Sequence, residues 1–225
     1  MSKKDFNQTG ALSTTNEWLT PPELIAALGA FDLDPCAPPP QRRPWETAPI
    51  MYDEALDGLK TPWIGRVFLN PPYGSETFIW IEKLAAHKSG IALIFARTDT
   101  RGFHAEIFNK AHSIFFFKSR LKFSGIVSQA EIDMAAKDDS VLFEHQIKIA
   151  RAVRKRIKGK TLNRINSDYS WFKGDSANAP SCLISYSWQD TRLIQKAFEA
   201  GKIKGRLVTL TPASVDAHTP VVETD

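Results

Sequence analysis

Short apolar runs alternate with segments of helical spacing along most of this chain. Val67-Phe68-Leu69, entered through Gly65-Arg66, reads as a buried strand. Ile91 to Ala96, Ser113 to Phe117, Cys182 to Trp188 and Arg206 to Leu210 read the same way, and Ala30 to Asp34 reads as a short strand ending at an acid. Between them, Glu76 to His87 carries apolar residues at helical spacing (Phe78, Ile81, Ala85), and Phe103 to Ala111 and Thr191 to Ala200 read as helices, the last stopped by Gly201. Thr20-Pro21-Pro22-Glu23 is a helix start signal: Thr20 can cap, Pro21 suits the first helical position and Glu23 completes a capping box. Strands alternating with helices predict an α/β fold with a mostly parallel central sheet and helices on both faces. Ligands of such sheets bind beyond the carboxyl ends of the strands. Asp34, Asn70 and Thr98-Asp99-Thr100 are expected at such ends.

The alternation stops between Leu121 and Ala179. This segment holds Asp138-Asp139, a helical stretch and a Ser/Asn/Gly-rich loop expected from Asn166 to Ala179. It is expected as an insertion (121–179) within one domain spanning 17–211, flanked by polar tails at 1–16 and 212–225 that are expected to be flexible or disordered. Pro35, Pro38, Pro39, Pro40 and Pro44 exclude a regular helix after Asp34.

Composition changes this picture little. With 225 residues, 43% hydrophobic and 24% charged, the chain can bury a full core without metals or disulfides. Cys36 and Cys182 lack metal-ligand spacing and suggest a reducing, cytoplasmic setting, with a disulfide between them left open. No metal site, signal peptide or membrane span is expected. Charge adds more. Lys148, Arg151, Arg154, Lys155, Arg156, Lys158 and Lys160 place seven positive charges in thirteen residues without an acid, and the rest of the chain has 22 basic and 25 acidic residues. Ile149, Val153 and Ile157 recur on the opposite side of that stretch. Such a helix can be an ordinary solvated amphipathic face or a surface for phosphates. Lys148, Arg151, Arg154, Lys155 and Lys158 are the candidate DNA-binding residues. Tyr169, Trp171 and Phe172 nearby could stack on bases or pack the insertion.

The candidate chemistry lies in Asn70-Pro71-Pro72-Tyr73, directly after the Val67–Leu69 strand. Two prolines fix two φ angles and remove two donors, so the loop is stiff. Asn-Pro also begins ordinary turns. In a site, however, an Asn oxygen and a free backbone carbonyl can accept both hydrogens of one planar NH2 group, and an aromatic ring three residues on can stack over the group that carries it.

Asn70-Pro71-Pro72-Tyr73 is preceded by Trp18-Leu19-Thr20-Pro21, Phe31-Asp32-Leu33-Asp34 with Pro35-Cys36-Ala37, and Asp57-Gly58-Leu59 before Trp63. Ile94 to Thr98 and Ser119 to Phe123 follow it. This ordered set resembles the phage-type, Dam-like DNA N-6-adenine methyltransferases. The resemblance implies a Rossmann-like S-adenosylmethionine-dependent methyltransferase fold, with Leu121 to Ala179 as target-recognition region and DNA as partner. It implies Asn70, Pro71, Pro72 and Tyr73 as the catalytic loop. Trp18 and Thr20 would lie against the methionine part of the cofactor, and Asp34, Pro35, Cys36 and Ala37 against its amino-acid moiety and ribose. Asp57 would accept from the adenine amine. Phe123 is a candidate for stacking on the flipped base, weighed against a core aromatic. The glycine-rich loop usual after the first strand is absent and 35 residues separate Asp34 from Asn70, so the acid for the ribose is open, with Asp53 and Glu54 as candidates. The same loop also serves glutamine-amide methyltransferases, and the missing glycines suit a non-catalytic nucleic-acid-binding module.

Overall fold

A computed structural model describes residues 18–210. The expected tails 1–16 and 212–225 lie outside the described residues. The strands are β1 (Leu33–Asp34), β2 (Ile50–Met51), β3 (Val67–Leu69), β4 (Gly90–Phe95), β5 (Ser113–Phe117), β6 (Lys122–Ser128), β7 (Asn163–Arg164), β8 (Tyr169–Ser176), β9 (Ser181–Ser185) and β10 (Gly205–Thr209). The helices are α1 (Pro22–Leu28), α2 (Thr77–His87), α3 (Arg101–Phe103, continued by a π turn over His104–Phe108), α4 (Gln129–Ala136), α5 (Glu144–Ile157) and α6 (Trp188–Glu199).

Seven strands form one mixed sheet in the order β10-β5-β9-β4-β3-β1-β2. β2, β1, β3 and β4 are parallel; β9 runs antiparallel to both β4 and β5, and β10 antiparallel to β5. Five strands therefore point one way and two the other. The sequence pattern alone does not show this reversal of β9. Its cause is the insertion. The chain leaves the sheet at the carboxyl end of β5 and returns through 121–179 to the same edge, so the next strand must run back.

Side chains alternate across the sheet as the two-residue strand period requires. Val67, Leu69, Ala92, Ile94 and Ile114 face α2 and α3 with Ile81, Leu84, Phe103 and Ile107. Phe68, Ile91, Leu93, Phe115 and Leu183 face α1 and α6 with Leu24, Leu28, Ile194 and Ala197. Both faces are covered, which is why these strands read as continuous apolar runs. Cys36 and Cys182 are free thiols.

The insertion is a unit with its own small core. β6, β8 and β7 form a three-stranded antiparallel sheet, and α4 and α5 bury Val127, Ala135, Val153 and Phe172 against it. β8 occupies the expected Ser/Asn/Gly loop. Gly174 there is not a turn residue: a Cβ on it would come within 2.3 Å of the Phe123 carbonyl oxygen, so glycine is what lets β8 pair with β6. α1 also differs from its sequence reading. Pro21 is its cap residue and no side chain caps it.

One buried ion pair ties three elements together. Arg66 donates Nε to Asp190 Oδ1 of α6 at 2.6 Å, and its Nη groups donate to the Leu28 and Ala30 carbonyls after α1. Its guanidinium lies over the Phe31 ring. Asp190 Oδ2 accepts from Gly90 N at the start of β4 and from Ser187 Oγ. Asp190 is 2% exposed, so loss of its partner leaves a buried charge. Arg66→Ala is expected to destabilise the fold by about 3–5 kcal/mol, measured by urea unfolding. A loss below about 1 kcal/mol would show that the pair is energetically peripheral.

Candidate functional site

From β1 the chain goes to β2 on one side and then to β3 and β4 on the other. The crevice between the carboxyl ends of β1 and β3 is therefore the switch point of the sheet, where open α/β folds bind ligands. Asp34 is the last residue of β1 and Asn70 the first after β3. Trp18, Leu19, Thr20, Asp34, Cys36, Pro38, Arg43, Trp45, Thr47, Met51, Phe68 and Asn70 line this cleft.

The Asn70 amide is held by its nitrogen. Nδ2 donates to the Trp18 carbonyl at 3.0 Å and to Thr20 Oγ1 at 3.3 Å. Thr20, read from sequence as a helix cap, instead orients Asn70. The amide oxygen is thereby turned away from these anchors, and it accepts one long bond, 3.3 Å, from the Tyr73 hydroxyl. The Pro71 carbonyl accepts no hydrogen bond among the described residues. Thr77 Oγ1 closes the loop by donating to the Pro72 carbonyl at 2.8 Å and accepting from Gly74 N. Tyr73 stacks on Phe95 of β4, with centroids 4.1 Å apart and planes 23° apart. Phe95 thus backs one face of the ring.

Asp34 is buried. Oδ1 accepts from Cys36 N at 2.9 Å and Oδ2 accepts from the Thr47 hydroxyl. Burial pushes its carboxyl up to about 6, against these two donors and the nearby Arg43 charge, which pull it down. Cys36 lines the cleft; Pro35 and Ala37 are buried beside it without lining it. Arg43, also in the lining, reaches Asp53 at 4.0 Å. Asp53 and Glu54 line an open pocket of about 440 Å³ with Pro39, Pro40, Gln41 and Ala55. The switch-point cavity itself measures only about 40 Å³.

Thr47, Arg43 and Trp45 have no counterpart among the sequence-based candidates. They belong to the proline-rich strap 38–47, whose only sequence signal was that it is not a helix. Trp45 donates Nε1 to the Thr20 carbonyl at 3.1 Å and meets Trp171 of β8 edge-on at 5.1 Å. Arg42 lies over the Tyr169 ring, and Asn166 Nδ2 donates to the Gln41 carbonyl. Tyr169 and Trp171 therefore pack the insertion onto this strap.

Three of the expected site residues are engaged elsewhere, and Phe123 takes the core alternative. Asp57 lines neither pocket; it is half-buried, left-handed at φ 47° and ion-paired with Lys60 at 2.7 Å, which lowers its carboxyl. Its loop is held from the other side, by Lys83 Nζ on the carbonyls of Gly58, Leu59 and Thr61. Phe123 is 1% exposed in the core, where the edge of its contact with Trp18 leaves no face for a base. Arg154 spends its guanidinium on the Ala135 and Lys137 carbonyls and on Asp139, so it staples α5 to α4. Along the same stretch Arg151 pairs with Asp139, Lys148 with Glu144, Arg156 with Glu131 and Lys160 with Asp175. Lys155 and Lys158 remain exposed.

No described helix is long and apolar enough to cross a membrane, and no group of three or more His, Cys, Asp or Glu among the described residues could hold a metal ion. Compared with family models, curated proteins and solved structures, the chain matches none.

The buried carboxyl has a measurable signature. Its folded pKa of about 6 stands above its unfolded value near 3.8, so the folded state holds the proton more tightly. The resulting stabilisation is complete below about pH 4 and is lost as pH rises through about 6. The loss amounts to at most about 3 kcal/mol. Asp34→Asn should remove this decrement, so that denaturant unfolding at about pH 4.5 and about pH 7.5 differs less than in the parent. Equal pH dependence in both proteins would contradict the assignment.

Proposed function

We propose that this chain is an S-adenosylmethionine-dependent methyltransferase of Rossmann-like fold acting on the exocyclic N6 amine of adenine in DNA. The observation that carries the reading is the Asn70 amide. Its nitrogen is anchored by Trp18 and Thr20, which leaves its oxygen as the acceptor half of the amide, next in the chain to a Pro71 carbonyl that accepts nothing among the described residues. An amine whose two N–H groups are accepted by Asn70 Oδ1 and Pro71 O is drawn out of planarity, and its lone pair is freed from the ring. Tyr73, backed by Phe95, offers a flat surface for the base. A duplex base must leave its stack to reach this loop, at a cost of a few kcal/mol. Holding the amine in one orientation supplies much of the acceleration.

The residues present fit the cofactor. Asp34 is a buried carboxylate suited to an ammonium group, and Arg43 beside it is suited to a carboxylate. The switch-point cavity holds only a fragment of such a ligand, and small-molecule sites run to about 300–1,000 Å³. The adjoining pocket beyond Arg43, with Asp53 and Glu54, supplies room for the nucleoside and acids for its ribose. When bound, the cofactor supplies a methyl group on a sulfonium centre open to attack by a nitrogen lone pair. Trp18, Thr20 and Cys36 complete the lining on the Asn70 side.

Incubation with a tritiated methyl donor tests the reading directly. Label in the adenine of duplex DNA supports it. Label in protein glutamine, or cofactor binding without transfer, would favour the amide-methyltransferase or the non-catalytic alternative. Asn70→Ala is expected to abolish or nearly abolish transfer in a folded protein, with turnover falling more than DNA affinity because the amine contacts strengthen in the transition state. Asn70→Asp should retain some activity. Tyr73→Ala should weaken base stacking by about 1–3 kcal/mol, and Tyr73→Phe should be tolerated. Single-turnover rates measure each, and near-parental transfer by Asn70→Ala would remove the central argument.

A further inference from the structure

We infer that the phosphates flanking the target base are held at the carboxyl edge of the main sheet, by a basic surface assembled from three separate chain segments, rather than by α5. The inference rests on the DNA reading above.

The topology makes this surface. β4 and β5 run parallel and end at the same edge as β3, and β10 runs back from that edge, with Gly205 paired to Phe117. Arg101 follows β4. Lys118, Arg120 and Lys122 follow β5. Lys202 and Lys204 precede β10, and Lys118 N donates to the Lys204 carbonyl at 2.9 Å. All six side chains are exposed. Arg120 donates one Nη1 bond to the Ala177 carbonyl, and none of the six is ion-paired with an acid among the described residues. In the stretches 96–101, 118–122 and 202–205 the only acid is Asp99.

The basic stretch of α5 is different in kind. Five of its seven cations (Lys148, Arg151, Arg154, Arg156 and Lys160) are matched by acids from Asp139, Glu144, Glu131 and Asp175. Two exposed lysines remain there, against six cations at the strand ends. Unpaired exposed cations are those able to exchange counterions for phosphates.

Placement supports the same conclusion. Adjacent strands lie about 4.8 Å apart. β5 stands three strand spacings from β3 and β10 four, so the cluster lies about 14–19 Å along the edge from Asn70. At about 3.4 Å of rise per base pair, that distance spans roughly four to six base pairs. A duplex laid along this edge with its target base at Asn70 therefore carries its flanking backbone over Lys118 and Lys204. The insertion leaves and rejoins the sheet at this edge too, which places its surface beside the same duplex.

The test compares two triple variants, Lys118→Gln/Lys202→Gln/Lys204→Gln and Lys148→Gln/Lys155→Gln/Lys158→Gln. Binding of a labelled duplex is followed by fluorescence anisotropy across a salt series, and unchanged thermal unfolding confirms that both variants are folded. The strand-end variant should lower the slope of log affinity against log salt by roughly 0.9 per lost contact, up to about 2.7. The α5 variant should lower it less. A parental slope in the strand-end variant, with the parent binding DNA, overturns this inference and leaves the proposed activity standing. A larger fall in the α5 variant overturns it also. A parent with no salt-dependent DNA binding overturns both.

Discussion

The hydrogen bonds from Asn70 Nδ2 to the Trp18 carbonyl and Thr20 Oγ1 organise the rest of the site. They join the segment before α1 to the end of β3, which no strand pairing connects. They also spend the donor half of the amide, so that only its acceptor half is left for chemistry. The neighbouring prolines cannot donate, and the Pro71 carbonyl is unspent. Among the described residues, the one donor that meets these acceptors is the Tyr73 hydroxyl, 3.3 Å from Asn70 Oδ1. Acceptors of this kind can be met by a group that brings two N–H donors of its own.

The same Thr20 residue links this point to the insertion. Its carbonyl accepts from Trp45, whose ring meets Trp171 of β8. Leu19 and Ser124 exchange backbone hydrogen bonds, which attaches β6 directly to the segment carrying Trp18. The small sheet is thus docked onto the cleft by two routes, one through the 38–47 strap and one through the backbone. The contacts that join the insertion to the Asn70 segment are aromatic packing and hydrogen bonds rather than strand pairing within the main sheet. Arg43 belongs to the same strap, lines the small cavity at Asp34 and reaches Asp53 of the open pocket at 4.0 Å. Its charge neighbours both acids and moderates the cost of burying Asp34.

Much of this architecture is legible in the sequence, for stated physical reasons. Buried strands such as Val67–Leu69 and Ser113–Phe117 are apolar on both faces, and the stiff Asn-Pro-Pro loop announces itself by composition. Three kinds of feature are not legible. Strand direction depends on where an insertion returns, so the reversal of β9 leaves no mark on Cys182-Leu183-Ile184. Side chains that act through tertiary contacts carry signals that fit simpler roles. Thr20 before two prolines looks like a cap, and Thr47 and Trp45 sit in a strap without periodicity. Glycine is ambiguous as well: Gly174 marks close approach of two strands, yet it falls in the Ser/Asn/Gly-rich stretch that reads as a loop.

Charge is the signal to which folding adds most, and the reason is general. A run such as Lys148 to Lys160 contains no acid within itself, so it reads as an unpaired cationic face. Folding brings Asp139, Glu131 and Asp175 to it from outside the run, and arginines are the side chains best suited to bind such acids and carbonyls together. Arg154 shows the outcome: with two carbonyls and Asp139 on its guanidinium, it contributes to the integrity of the α4–α5 pair and has little left for a phosphate. Lys118 and Lys204 show the converse. They lie 86 residues apart by number, neither belongs to a charge run, and the sheet brings their backbones into hydrogen-bond contact. What a cation can offer to a partner depends on the acids that folding brings to it, and Lys118 and Lys204, exposed where β5 ends and β10 begins, are given none among the described residues.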